Sequence, residues 1–260
     1  MSYSTLIVQP GPHRVTVTLH RPEAQNSIDD TLLAELLQAL DAAEADPECR
    51  LIVLTGENGV FCTGMDFGAV AREAAGHAGE AMRSARYMDV LRRLATIPRA
   101  VIAQVDGRVT AGGVGLVAAS DLVVATERSQ FALSEALWGL LPCCVMPYLV
   151  RRVGFQPAYR LTLTTQTVSA REALPYHLVD EVSDAPDEAI RKWMLRIARL
   201  DLETLRELKA YFRRMWIIDE AMEQHAVAAI SRLVAKPRVV ANITNYVTRR
   251  QFPWETAANA

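Results

Sequence analysis

Residues 101–135 read VIAQVDGRVTAGGVGLVAASDLVVATERSQFALSE, and the fold class turns on this stretch. Val101, Ile102 and Val105, then Leu122, Val123 and Val124, make two β-branched apolar runs bounded by Asp-Gly and polar residues, the pattern of buried strands. Between them, Gly112, Gly113 and Gly115 lead from a loop into a short helix over residues 114–120. The N–H groups at a helix start have no intrahelical partner and attract negative charge. Taken alone, the glycines are explained by close packing of that helix on a strand. Glu135 changes the balance, because it is followed by the apolar run Ala136, Leu137, Trp138, Gly139, Leu140, Leu141 and Pro142. A carboxyl in apolar surroundings has its pKa raised, as a proton-transfer group working near neutrality requires. The competing explanation is a helix-start carboxylate with Ser134 as its cap.

Outward from this stretch, strand and helix patterns alternate. Residues 14–19 (RVTVTL) alternate apolar and polar and predict a half-exposed strand, with residues 6–8 as its hairpin partner across residues 9–13. Behind Asp29 and Asp30, Leu32, Leu33, Leu36, Leu37 and Leu40 fall at helical spacing. Residues 51–55 (LIVLT) predict a second buried strand, feeding the glycine-broken loop of residues 56–66 (GENGVFCTGMD). A strand ending in a glycine loop thus occurs twice, near Met65 and near Gly112, and two such loops can present two backbone N–H groups to one oxygen. Residues 67–85 predict a helical cover carrying Arg72, His77 and Arg83, with Arg86 just beyond. Apolar helical segments follow at 145–153, 157–163 and 170–174, with a last strand-like run at 178–182. From Asp187 the pattern is almost wholly helical (191–199, 202–216, 221–234), which suits a C-terminal layer packed on a neighbouring subunit. The expected division is a core over residues 1–186 and a helical region over 187–260.

The chain has 260 residues, half of them apolar, and a formal charge of −2, enough for one large core. A basic stripe interleaved with aromatics is missing, which argues against nucleic acid, and no apolar run approaches a membrane span. Cys49, Cys62, Cys143 and Cys144 lack metal-ligand spacing and are expected as reduced thiols of a cytoplasmic protein. No metal site is expected.

Four blocks carry a resemblance: HRPEAQNSI (20–28), FCTGMDF (61–67), VDGRVTAGGVGLVAASDLVVA (105–125) and SQFALSEALWGLLP (129–142). Over nearly its full length the chain resembles the crotonase, or enoyl-CoA hydratase/isomerase, superfamily. The resemblance implies an α/β fold in which ββα units wind into two roughly perpendicular sheets, and C-terminal helices that build a homotrimer or dimer of trimers. It also implies an oxyanion hole formed by the backbone N–H groups of Met65 and Gly112, gripping a thioester carbonyl oxygen as an enolate forms.

The family's hydratases use two glutamates. The second aligns with Glu135, whereas the first falls at Gly115, which has no side chain to activate a water. A subgroup looks closer through the run HRPEAQNSI and DDTL (29–32), through SEALWGLLPCCVMPYLVRRVG (134–154) and through QFPW (251–254): the dehydratases of polyketide β-branching. Their resemblance implies loss of water from a 3-hydroxy-3-methylglutaryl thioester on an acyl carrier protein, giving 3-methylglutaconyl carrier protein. Glu135 is then the base, and no cofactor is needed beyond the phosphopantetheine or coenzyme A that carries the acyl group. Arg83 and Arg86, with Arg72 and His77 behind them, are the expected partners of the substrate's free carboxylate. Asp66 is a candidate second acid, or a residue pinning the loop. Cys62 is a candidate substrate contact, or a small packed hydrophobe. The alternatives are an enoyl-CoA isomerase, with Glu135 shuttling the proton, or a hydratase acting on another acyl thioester, and a non-catalytic scaffold of the same fold.

Overall fold

The computed structural model describes residues 3–68 and 77–255. Strand β1 (Leu6–Gly11) folds back on β2 (Arg14–Leu19) with register Leu6↔Leu19 and Gly11↔Arg14. The hairpin turn is therefore Pro12-His13, tighter than the five-residue connection expected, and His13 takes φ 57. Helix α1 (Asp30–Ala45) starts where Asp29 accepts a hydrogen bond from Leu32 N at 2.8 Å, an N-cap of the preferred residue type. Strands β3 (Leu51–Gly56), β5 (Ala100–Val105) and β7 (Leu122–Ala125) join β2 as parallel neighbours, and β10 (Glu181–Val182) closes the edge. The larger sheet has the order β1-β2-β3-β5-β7-β10.

Both faces of this sheet are covered, which explains why its strands read as continuous apolar runs. Ile52, Leu54, Val101 and Ala103 face the main core with Leu33 and Leu36 of α1 and Leu91 and Leu94 of α2 (His77–Thr96). The alternate residues Leu51, Val53, Ala100 and Ile102 face a second cluster with Ala189 and Ile190 of α7 (Pro186–Ile197). The alternation is the two-residue period of a strand.

A second sheet runs β4 (Val60–Cys62), β6 (Arg108–Thr110), β8 (Gln130–Ala132) and β9 (Val168–Ser169). Residues 56–66 are thus not wholly loop as expected: β4 interrupts them. Each three-residue strand follows a strand of the larger sheet, and the pair β5-β6 leads into α3 (Gly112–Ala119), so the chain winds as repeated strand-strand-helix units. Helices α4 (Val145–Val153), α5 (Phe155–Thr164) and α6 (Ala170–Ala173) follow, the last opened by a capping box between Ser169 and Glu172.

After α7 come α8 (Leu202–Arg213), α9 (Glu220–Val234) and α10 (Pro237–Arg249). Helix α10 was not singled out in the sequence. It packs Val239 and Ile243 against Trp138 and Leu140. Among the described residues, no helix is long and apolar enough to cross a membrane. All four cysteines are free thiols.

Candidate active site

Three parallel strands of the smaller sheet deliver the site. Cys62 of β4 pairs with Val109 of β6, and Val109 pairs with Phe131 of β8. Following each strand three residues onward brings the chain to Met65, Gly112 and Ser134, with Glu135 one step further. The candidate groups therefore sit together at the C-terminal ends of adjacent strands, although they are far apart in sequence.

The two glycine loops touch. A Cβ on Gly64 would lie 2.7 Å from Ala111 Cβ and 3.0 Å from Gly112 N, and Gly64 has φ +85; only glycine accepts both conditions. Thr110 Oγ1 donates to Thr63 O at 3.0 Å, and Ala111 N donates to Ala132 O at 2.9 Å. These bonds hold Ala111 at φ 50, a conformation that costs a non-glycine residue about 1–3 kcal/mol. On the other loop, Ile28 N donates to Gly64 O at 2.7 Å and Asp66 N donates to Ile28 O at 2.9 Å. Met65 and Gly112 thus stand on two mutually braced turns, and Gly112 opens α3, where N–H groups lack intrahelical acceptors.

Glu135 starts a short 3-10 turn, Glu135–Trp138. Its Oε2 is sealed from solvent and has no hydrogen-bond partner among the described residues. Burial pushes its pKa from 4.5 to about 7, because charge is disfavoured away from water. Glu135 does stand at the start of this turn, but Ser134 makes no side-chain capping bond, so the cap in the competing explanation is missing.

Glu135, Met65 and Gly112 line one cavity of about 790 Å³. The space beside Gly115 is filled: a Cβ there would overlap the Tyr87 hydroxyl and lie 3.1 Å from Val145 Cγ2. Tyr87 is 3 % exposed, also lines the cavity, and donates from Oη to Gly112 O at 2.5 Å. Nothing in the sequence around Tyr87 pointed to the site, since its relation to Gly115 exists only in three dimensions.

The remaining candidates part company. Arg83 and Arg86 do not line the cavity. Arg83 donates from Nε and Nη2 to Asp30 Oδ2 at 3.2 and 3.0 Å, and Arg86 Nη1 to Asp30 Oδ1 at 3.1 Å. Their expected role against a substrate carboxylate is corrected accordingly: both guanidinium groups bond Asp30 of α1, outside the cavity lining, and Arg83 is 1 % exposed. Arg72 and the side chain of His77 lie outside the described residues. Asp66 lines the cavity and accepts from Arg21 Nη2 at 3.2 Å, and the same nitrogen lies 2.9 Å from Asp29 Oδ2, which ties the loop to the start of α1. Cys62 is fully buried, away from the cavity, and burial pushes its thiol up to about 12; it is a packed core residue and not a substrate contact. Among the described residues, the arginines that do line the cavity are Arg108 and Arg250.

One wall of the cavity is aromatic: Phe67, Trp138 and Tyr246 line it, with Phe67 and Tyr246 meeting Trp138 edge-on at 4.9 and 5.1 Å. Asn242 Nδ2 donates to Trp138 O at 3.2 Å, fastening α10 across the 3-10 turn. The C-terminal helix of the same chain therefore walls the site.

Residues 14–257 match the family model described as enoyl-CoA hydratase/isomerase. The bacillaene synthase dehydratase PksH of Bacillus subtilis (strain 168) is 35% identical over 98% of each chain. A crystal structure of a polyketide biosynthesis enoyl-CoA hydratase (pksH) from Bacillus subtilis superposes with a TM-score of 0.89 at 34% identity, over 97% of this chain and 100% of that one. The 1,2-epoxyphenylacetyl-CoA isomerase of Escherichia coli (strain K12) is 32% identical over 71% of each chain.

Proposed function

Because the chain belongs to the enoyl-CoA hydratase/isomerase family, and so is a hydratase/dehydratase-type enzyme, we propose that it removes water from a 3-hydroxy-3-methylglutaryl thioester. The acyl group rides on the phosphopantetheine of an acyl carrier protein in polyketide β-branching, and the product is the 3-methylglutaconyl thioester. The observation that carries this reading is the Glu135 carboxyl, whose Oε2 is buried without a hydrogen-bond partner among the described residues, beside two braced N–H loops, with no side chain at Gly115.

The chemistry follows from that arrangement. The thioester carbonyl oxygen accepts hydrogen bonds from Met65 N–H and Gly112 N–H, which makes the C2 proton acidic. Ionised Glu135 takes that proton, and the C–H electron pair moves into an enolate held by the two donors; one such donor is worth about 10²–10³ in rate. As the enolate collapses, the C2=C3 bond forms and the C3–O bond breaks. The departing oxygen receives the proton from Glu135, leaving as water and returning the carboxylate. A pKa near 7 lets one group serve as base and then as acid.

The substrate's free carboxylate needs a cation, since an unpaired buried charge is costly. Among the described residues, Arg108 and Arg250 are the cavity-lining arginines placed to take this role. The chain acts as a homotrimer or dimer of trimers, a reading supported by Tyr211, Phe212, Met215 and Ile217, which are more than half exposed at the end of α8 and after it; light scattering at micromolar concentration tests it, and a monomer refutes it.

A single carboxyl also suits double-bond migration, in which Glu135 moves a proton from C2 to C4, and one relative is an isomerase. Intact-mass measurement on 3-hydroxy-3-methylglutaryl carrier protein separates the two. Loss of one water supports dehydration. An unchanged hydroxyacyl mass, with double-bond migration in the corresponding enoyl thioester, supports the isomerase.

A further inference from the structure

Dehydration leaves one atom unattended: the C3 oxygen. Its proton must point away from Glu135 if a lone pair is to receive the proton Glu135 delivers. The place to look is the space beside α3, whose first residue, Gly112, lines the cavity and whose Gly115, one turn on, carries no side chain. That space holds the Tyr87 hydroxyl. Tyr87 comes from α2, a different element, and its Oη is anchored by donation to Gly112 O at 2.5 Å. A phenol hydroxyl that donates in one direction keeps its lone pairs for a partner in another.

From this geometry we propose that Tyr87 is a further catalytic residue, whose hydroxyl accepts a hydrogen bond from the C3 hydroxyl of the substrate and turns that oxygen's lone pair towards Glu135; the assignment rests on the dehydratase reading given above. The phenol transfers no proton. Burial, with the neighbouring Glu135 carboxyl among the smaller contributions, holds its pKa well above the usual value of 10, so it stays neutral throughout and acts as an oriented acceptor. The bond to Gly112 O ties this acceptor to the residue whose N–H stabilises the enolate, so the two ends of the reacting acyl group are positioned by one short stretch of backbone. Atoms and electrons balance as before: Glu135 gains and loses one proton, the C3–O electron pair leaves with the oxygen, and Tyr87 ends as it began.

Tyr87→Phe keeps the ring and removes the acceptor. With 3-hydroxy-3-methylglutaryl carrier protein in deuterated buffer, dehydration and deuterium entry at C2 are read by mass on the same sample, beside a thermal melt. Enolate formation needs only Glu135 and the two N–H donors. The expected result is a fall in the dehydration kcat of about ten-fold or more, the rate equivalent of one lost hydrogen bond, with KM little changed and deuterium entry at C2 retained. Dehydration at the wild-type rate in Tyr87→Phe overturns the assignment. So does a parallel loss of dehydration and C2 exchange, which marks Tyr87 as a support for the Gly112 turn. If the wild-type protein itself releases no water, the dehydratase reading fails and the assignment falls with it, a result distinct from failure in the variant alone.

Discussion

The hydroxyl of Tyr87 occupies the volume that a Cβ on Gly115 would need. Two elements, α2 and α3, therefore exclude each other's side chains at this point, and packing requires the glycine. Gly115→Ala should destabilise the protein by about 1–3 kcal/mol as an overpacked core position, despite alanine's better helix propensity of roughly 1 kcal/mol. Combining it with Tyr87→Phe should recover part of the loss, since the ring's Cζ lies 3.2 Å from the added methyl. A double-mutant cycle on thermal or urea melts checks the coupling; additive losses would show that the two positions do not compete for space.

A second prediction concerns pH. The folded pKa of Glu135 stands near 7 against an ordinary 4.5, so between those values the folded state binds more protons than the unfolded one. Stability contributed by this group is present at low pH and lost as pH rises through about 7, by up to a few kcal/mol. Glu135→Gln, which never ionises, should melt higher than the wild type near pH 8, and the difference should shrink as pH approaches about 5. The kcat/KM of the wild type should rise through an apparent pKa of about 7 as the base ionises. A profile that is flat down to pH about 5, or a variant that melts lower at every pH, contradicts the buried-carboxyl account.

Much of this architecture is legible in the sequence, and the reasons are physical. Strands β3, β5 and β7 announce themselves because both faces are buried, giving the runs Leu51–Leu54, Val101–Val105 and Leu122–Val124. Strands β4, β6 and β8 do not, because three residues are too few to establish a period, and their pairing depends on strands distant in sequence. Glu135 stood out by its apolar sequel. Tyr87 could not, since its significance comes from contact with Gly115, twenty-eight positions away. Arg83 and Arg86 misled for a related reason: charge on a helix does not name its partner, and Asp30 sits on another helix.

A third prediction follows from that correction. Arg108→Gln and Arg250→Gln should raise KM for the 3-hydroxy-3-methylglutaryl substrate by about ten-fold together, the effect of a lost charge-assisted contact, while leaving KM for a carboxylate-free 3-hydroxyacyl thioester within about two-fold. Arg86→Ala, removing a guanidinium held on Asp30, should change neither. Steady-state kinetics on the two substrates decides it; an equal rise for both substrates would place these arginines against the carrier and not against the carboxylate.

The central claim, that Glu135 alone handles the proton in a dehydration, is tested most directly by Glu135→Gln. Gln fills the same space but cannot accept the C2 proton, so the loss should fall on turnover and not on affinity. Intact mass of 3-hydroxy-3-methylglutaryl carrier protein is followed over time with the wild-type protein and the variant, with binding of the carrier protein measured alongside. The account predicts loss of one water with the wild type, and with the variant a rate lower by about 10² or more at nearly unchanged affinity. A folded variant that releases water at the wild-type rate would contradict it.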